Sequence, residues 1–204
     1  MSDTRNYASD VAALAAVQHP DHRALLDFWY AEKPQDGLPS RESFEPLDYP
    51  AMLPRIAVIE PCHVVGGQRI DGQWTDGVSE DAVAGDDDLA DAATVERSFR
   101  YRLAGTEIVE RAGRDPTGKT FHELYRDAYL TTALQTYEEI LAARVPHFSQ
   151  RVFPIGDGAS ELRYDRLILP FARDGQTIDS FLLCIVVVSQ TGTVKVEGSF
   201  RRYT

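Results

Sequence analysis

The sequence predicts one α+β domain built on a five-stranded antiparallel sheet, and three observations carry that reading. Residues 99–103 alternate strictly, with Phe99, Tyr101 and Leu103 on one face and Arg100 and Arg102 on the other, which is the pattern of a half-buried strand. Three apolar runs at 148–153, 162–169 and 178–189 follow one another closely, punctuated by glycines 156 and 158 and by Asp174-Gly175, so neighbours pair as hairpins. Ahead of them Leu130, Leu134, Tyr137, Ile140 and Leu141 recur at helical spacing and form one face of a longer helix. Two early strands, a helical block and three late strands place the helices over one face of a sheet.

The elements follow in order. His19-Pro20-Asp21-His22 opens a helix carrying Leu25, Leu26, Trp29 and Tyr30, which stops before Pro34 and Gly37. Residues 1–37 thus hold a flanking helix, more apolar than docking alone needs, expected to cap the sheet or to build a homodimer. Residues 38–54 are rich in proline and predict short helical turns, with Ser40 and Asp48 as N-caps. Residues 56–60 read as the first strand. A short helix over 106–112 has Thr106 as N-cap and Gly113 as stop; Gly118 suits a turn needing positive φ. Another short turn spans 122–125, and the longer helix ends near Arg144, before Pro146. The main domain covers 38–190, and 191–204 form a last strand or a tail.

Among 204 residues, 32 acids against 21 bases give a formal net charge of −11. Nine of the acids lie between Asp71 and Glu96, a stretch with no Lys or Arg, and without them 23 acids face 21 bases. The acidity belongs to one solvated insertion, 71–96, between the first two strands. That insertion lacks the Asp-x-Asp-x-Asp-Gly spacing and terminal Glu of a calcium loop. The charge sign argues against nucleic acid and against an anionic membrane as partners. Cys62 and Cys184 are the only cysteines, too few for a disulfide framework and without a C-x-x-C pair, which suits a cytoplasmic protein. No signal peptide is legible, and the longest strongly apolar run, 181–188, is far short of the ~20 residues of a spanning helix.

Three stretches resemble the PAS family of sensory domains, and more closely its alphaproteobacterial single-domain subfamily. They are Leu38-Pro39-Ser40-Arg41-Glu42-Ser43-Phe44-Glu45-Pro46-Leu47 with Leu53-Pro54; Phe99-Arg100-Tyr101-Arg102-Leu103-Ala104-Gly105-Thr106 continuing to Gly113-Arg114-Asp115-Pro116-Thr117-Gly118-Lys119; and Tyr164-Asp165-Arg166-Leu167-Ile168-Leu169-Pro170. The subfamily carries Asp where Glu45 stands, and a short connection where the acidic insertion lies. The resemblance spans roughly residues 23–188 and implies a PAS-like fold and a sensory role. Some PAS relatives hold haem through a histidine on their helices, a position His122 can match; the ordinary reading of a lone histidine is a satisfied polar group. The sequence leaves the cofactor open.

For catalysis the chain offers no H-E-x-x-H, no His-Cys-Cys metal set and no G-x-S-x-G, and Gly66-Gly67 is too short to cradle a phosphate. The expectation is therefore a stand-alone, non-catalytic sensory or signalling module that binds a small molecule or a protein partner. It would act through its own dimer or through a separate signalling protein. If the longer helix lies over the sheet, Tyr101, Leu103, Leu134, Tyr137 and Cys184 wall an apolar pocket with His122 nearby, and these six are the expected ligand-binding residues; a fully packed core is the competing expectation. No residue is expected to be catalytic or to ligate a metal. The rival class is a small α+β pocket enzyme, an isomerase or hydrolase, using a buried carboxylate beside the longer helix as general base.

Overall fold

Residues 181–188 are apolar with no polar alternation, as a strand covered on both faces must be. In the computed structural model, which describes residues 5–7, 15–70, 94–155 and 160–190, they lie in β7 (Ser180–Gln190), in the middle of the sheet. Its neighbours are β6 (Ser160–Phe171) and β2 (Ile56–Val65); β5 (His147–Ile155) flanks β6, and β4 (Val95–Ala104) flanks β2. The order is thus β4-β2-β7-β6-β5, antiparallel throughout, and the predicted five-stranded sheet is present.

Two short strands extend it: β1 (Arg5–Tyr7) beside β5, and β3 (Gln68–Ile70) beside the end of β2. Gly66 and Gly67, at φ 57° and 78°, make the two-residue turn from β2 to β3, a hairpin signal that serves no phosphate. Most of the acidic insertion (71–93), the glycines at 156 and 158, and residues 191–204 lie outside the described residues.

The sheet is covered on both sides. On the outer face lies α1 (Pro20–Glu32), whose Leu25, Leu26 and Trp29 are buried. The Trp29 indole donates to the Pro170 carbonyl at 2.7 Å. Phe28 packs against Phe44, Tyr49 and Phe171. The flanking helix therefore caps the sheet. On the inner face lies α4 (Asp127–Ala143), reached through α2 (Thr106–Ala112) and α3 (Phe121–Leu124).

Local details correct two expected caps. Gly105, not Thr106, is the N-cap of α2. A Cβ at Gly105 would stand 2.2 Å from the Leu53 carbonyl oxygen, so no other residue fits without backbone movement. Ser40 caps its turn as predicted, but Asp48 ends the turn Pro46–Asp48, whose cap is the Glu45 carboxylate, accepting from the Leu47 amide at 3.2 Å. Glu45 does there what a shorter acid would do. Thr120 and Glu123 form a reciprocal capping box at α3.

His22, fully buried in α1, ties that helix to β7. Its Nε2 lies 3.2 Å from the Cys184 carbonyl oxygen. Only an Nε2–H tautomer can donate there, which leaves Nδ1 bare and buried without a partner. Burial accordingly pushes the His22 pKa down from 6.5 to about 4. A folded-state pKa below the unfolded one means that the unfolded chain binds the proton more readily. Stability is then full above pH 6.5 and falls as pH drops toward 4, by up to about 3 kcal/mol. Denaturant unfolding of His22→Gln, which keeps a donor but cannot titrate, should show a flatter pH dependence over that window; an unchanged slope would contradict the assignment.

Candidate functional site

The inner face is set by strand alternation. Ile59, Phe99, Tyr101 and Phe181 share it through the pairs Ile59↔Tyr101, Pro61↔Phe99 and Ile59↔Phe181. Leu103 does not. Val58 pairs with Leu103 and Ile59 with Tyr101, so Arg102 is an extra residue, a β-bulge that turns Leu103 to the opposite face. Leu103 is 51% exposed and leaves the expected pocket wall. Arg102 reaches Glu60 at 3.7 Å, and Arg100 pairs with the same carboxylate.

Cys184 is likewise on the other face. It stands opposite Leu167, which pairs with Phe148, and Phe148 contacts the ring of His22 in α1. Burial pushes its thiol up to about 12, so it is an inert core group. His122 sits on α3 beside β4, its Nδ1 2.8 Å from Ser98 Oγ and its Nε2 3.3 Å from Glu96. Both nitrogens are engaged, as in an ordinary satisfied histidine. Tyr101, Tyr137 and the half-buried Leu134 are inward as expected.

What lies under α4 divides into two halves. The first is aromatic: Tyr137 meets Phe99, Phe121 and Phe181 at ring-centroid distances of 4.9, 5.2 and 5.0 Å. These edge-on and tilted contacts pin the helix to the sheet. The second half is polar and begins at the Tyr101 hydroxyl, 2.7 Å from that of Tyr125. Burial raises the pKa of Tyr101, Tyr125, Tyr129 and Tyr137, so all four hydroxyls stay protonated.

The strands beneath supply charge. Ser149 pairs with Arg166 and Arg151 with Tyr164 across β5 and β6, which puts His147, Ser149, Arg151, Tyr164 and Arg166 on the inner face. Arg166 donates from Nε to Ser149 Oγ at 3.2 Å, while its Nη2 is buried with no hydrogen-bond partner. Among the described residues it makes no ion pair. Its field reaches Tyr101, Tyr129, Tyr137, His147 and Arg151. Burial, then Arg166, lowers the Arg151 pKa to about 10, and burial with both arginines drives His147 to about 4. Arg166 as a whole is half-buried, and an N–H closed off from water without an acceptor is costly; none of these strand residues was expected from the sequence to bind a ligand. The signal was there in Tyr164 and Arg166, two residues apart in a strand.

A second feature is a cleft of about 670 Å³ where β2 passes from β7 to β3, lined among others by Pro61, Cys62, His63, Arg97 and Arg144. Its charges are occupied: Arg97 holds Glu138 at 2.9 Å, and Arg144 donates to the Gly175 and Gln176 carbonyls. No three His, Cys, Asp or Glu side chains come together to hold a metal among the described residues.

Residues 90–186 match the family model described as PAS domain. That part of the chain is a PAS domain. The match runs through β4, the helical block and β5 to β7, and the sheet and helices around it have the PAS-like arrangement. PAS domains are in general sensory or signalling modules and typically non-catalytic. No curated protein and no solved structure matches the chain. No helix among the described residues is long and apolar enough to cross a membrane.

The two halves make different energetic predictions. Truncation of Phe99→Ala should cost about 3 to 5 kcal/mol, as large-to-small changes in a packed aromatic core do. Removing one hydroxyl in Tyr101→Phe should cost only about 1 kcal/mol. Denaturant unfolding measures both, and a larger loss for Tyr101→Phe would show that the polar half holds α4.

Proposed function

We propose that this PAS domain is a non-catalytic sensor that takes a small molecule on the inner face, between α4 and strands β5 to β7. The observation that carries this reading is the polar half under α4, where tyrosine hydroxyls and a half-buried guanidinium with an unmet N–H lie beside an aromatic wall. Small-molecule sites have that make-up: a mostly apolar lining with a few convergent polar groups. A ligand favouring one placement of α4 shifts the population of that placement, and a second copy of the chain or a separate signalling protein reads it. We place the protein in the cytoplasm on its cysteine usage.

The pocket-enzyme reading asks for a buried carboxylate of raised pKa beside α4. Asp165 is buried and its pKa is raised by burial, but it pairs with Gln150 at 3.2 Å on the outer face. A general base on that side does not meet the tyrosines and arginines, and this favours the sensor.

Leu134 lies half-buried on α4 against the core, so Leu134→Trp fills space on the inner face at a cost of ~1 to 3 kcal/mol. Native mass spectrometry of freshly purified protein should show a bound small molecule on the parent and none on the variant. Equal occupancy of the two would place the ligand elsewhere.

A further inference from the structure

Arg166 poses the sharpest chemical question in the molecule. It lies on the inner face, on β6, with Nε committed to Ser149 Oγ at 3.2 Å and Nη2 buried with no hydrogen-bond partner. The residue as a whole is half-buried, but an N–H closed off from water is normally hydrogen-bonded, because an unmet donor destabilises the fold. The acids nearest in sequence do not serve. Asp165 points to the outer face and bonds Gln150.

The groups around Arg166 complete a receptor for one negative charge. Tyr101, Tyr129 and Tyr137 carry protonated hydroxyls within reach of its field. Ser149 is fully buried across the strand pair. His147 is also buried, and its Nδ1 has no hydrogen-bond partner in another residue. Arg151 adds positive potential. A planar fork with a free N–H edge and neighbouring hydroxyl donors match a planar carboxylate. The aromatic half beside it, Phe99, Phe121, Tyr137 and Phe181, matches an apolar remainder.

We infer that the ligand of the inner face is a small apolar or aromatic monocarboxylate, its carboxylate bound by Arg166. This rests on the reading of the inner face as the sensor site and names the class of molecule it takes. Within it Arg166 is kept for binding at the expense of stability, a trade found where function overrides packing.

The test uses the full chain with benzoate and phenylacetate as probes, benzamide and phenylacetamide as neutral counterparts, and inorganic phosphate as a simple anion. Binding is read by calorimetry and by thermal shift on the parent, Arg166→Met and Leu134→Trp. At least one carboxylate should bind the parent, ten-fold or more tighter than its amide. Arg166→Met should lose that binding at least ten-fold while its own melting temperature holds or rises, since an apolar side chain of similar length removes the buried, unmet N–H. Leu134→Trp should lose it too.

Failures separate the two readings. Amide and carboxylate binding alike, both lost in Leu134→Trp, overturns the carboxylate and keeps the inner-face site. Phosphate binding alone, or carboxylate binding untouched by Arg166→Met, also overturns it. Carboxylate binding retained by Leu134→Trp overturns the inner face itself, and with no probe bound the inference fails outright. A fall in the melting temperature of ligand-free Arg166→Met would show that the guanidinium is structural.

Discussion

The contact on which the rest depends is Tyr137 seated among Phe99, Phe121 and Phe181. It joins the longer helix, the short helix before it and two separate strands at one point. Each ring buries a large apolar area, and such pairs add geometry-dependent attraction to the burial. Once Tyr137 is fixed, helical spacing places Tyr129 two turns toward the N-terminus. That turn of α4 lies over β5 and β6, where the arginines are. The aromatic half is thus the hinge of the architecture, and the polar half is positioned by it rather than by its own cohesion.

The two faces of the sheet differ in the kind of polar group they leave unmet. On the outer face Trp29 donates to Pro170, His22 Nε2 to Cys184, and Asp165 accepts from Gln150; the nitrogen left bare there, His22 Nδ1, belongs to a ring that burial keeps neutral. Helix α1 docks through apolar surface plus a few satisfied bonds, as a permanent cover should. On the inner face the unmet nitrogen of Arg166 is an N–H donor of a guanidinium. An unmet cationic donor is the costlier of the two. The cleft at the β2 edge has more arginines, but theirs are occupied by Glu138, Glu60 and backbone carbonyls.

Much of this was legible in the sequence, for physical reasons that also mark its limits. The late apolar runs and their turns named β5 to β7, and the helical spacing of Leu130, Leu134 and Tyr137 gave the inward face of α4. The alternation at residues 99–103 located β4 but misplaced Leu103, because a bulge adds one residue without any composition signal and reverses every side chain after it. Cys184 was misplaced for another reason. A strand covered on both faces has no polar side, so its pattern cannot say which helix a given residue meets. The same double coverage hid Arg151 and Arg166, since a charge in a strand ordinarily marks solvent. Asp48 was a sound capping residue one turn out of place, with Glu45 in the role. The Gly66-Gly67 pair was weighed against a phosphate cradle when its hairpin meaning was the simpler one.

The central claim is that Arg166 awaits a partner from outside the chain. An experimental structure of protein purified without added ligand tests it most directly, by what stands against the Arg166 guanidinium. The account predicts density for a small group there that no side chain explains, seated between Tyr129 and the strands. A carboxylate of the chain paired with Arg166, or apolar side chains closed over it with the helix in contact, would contradict the account.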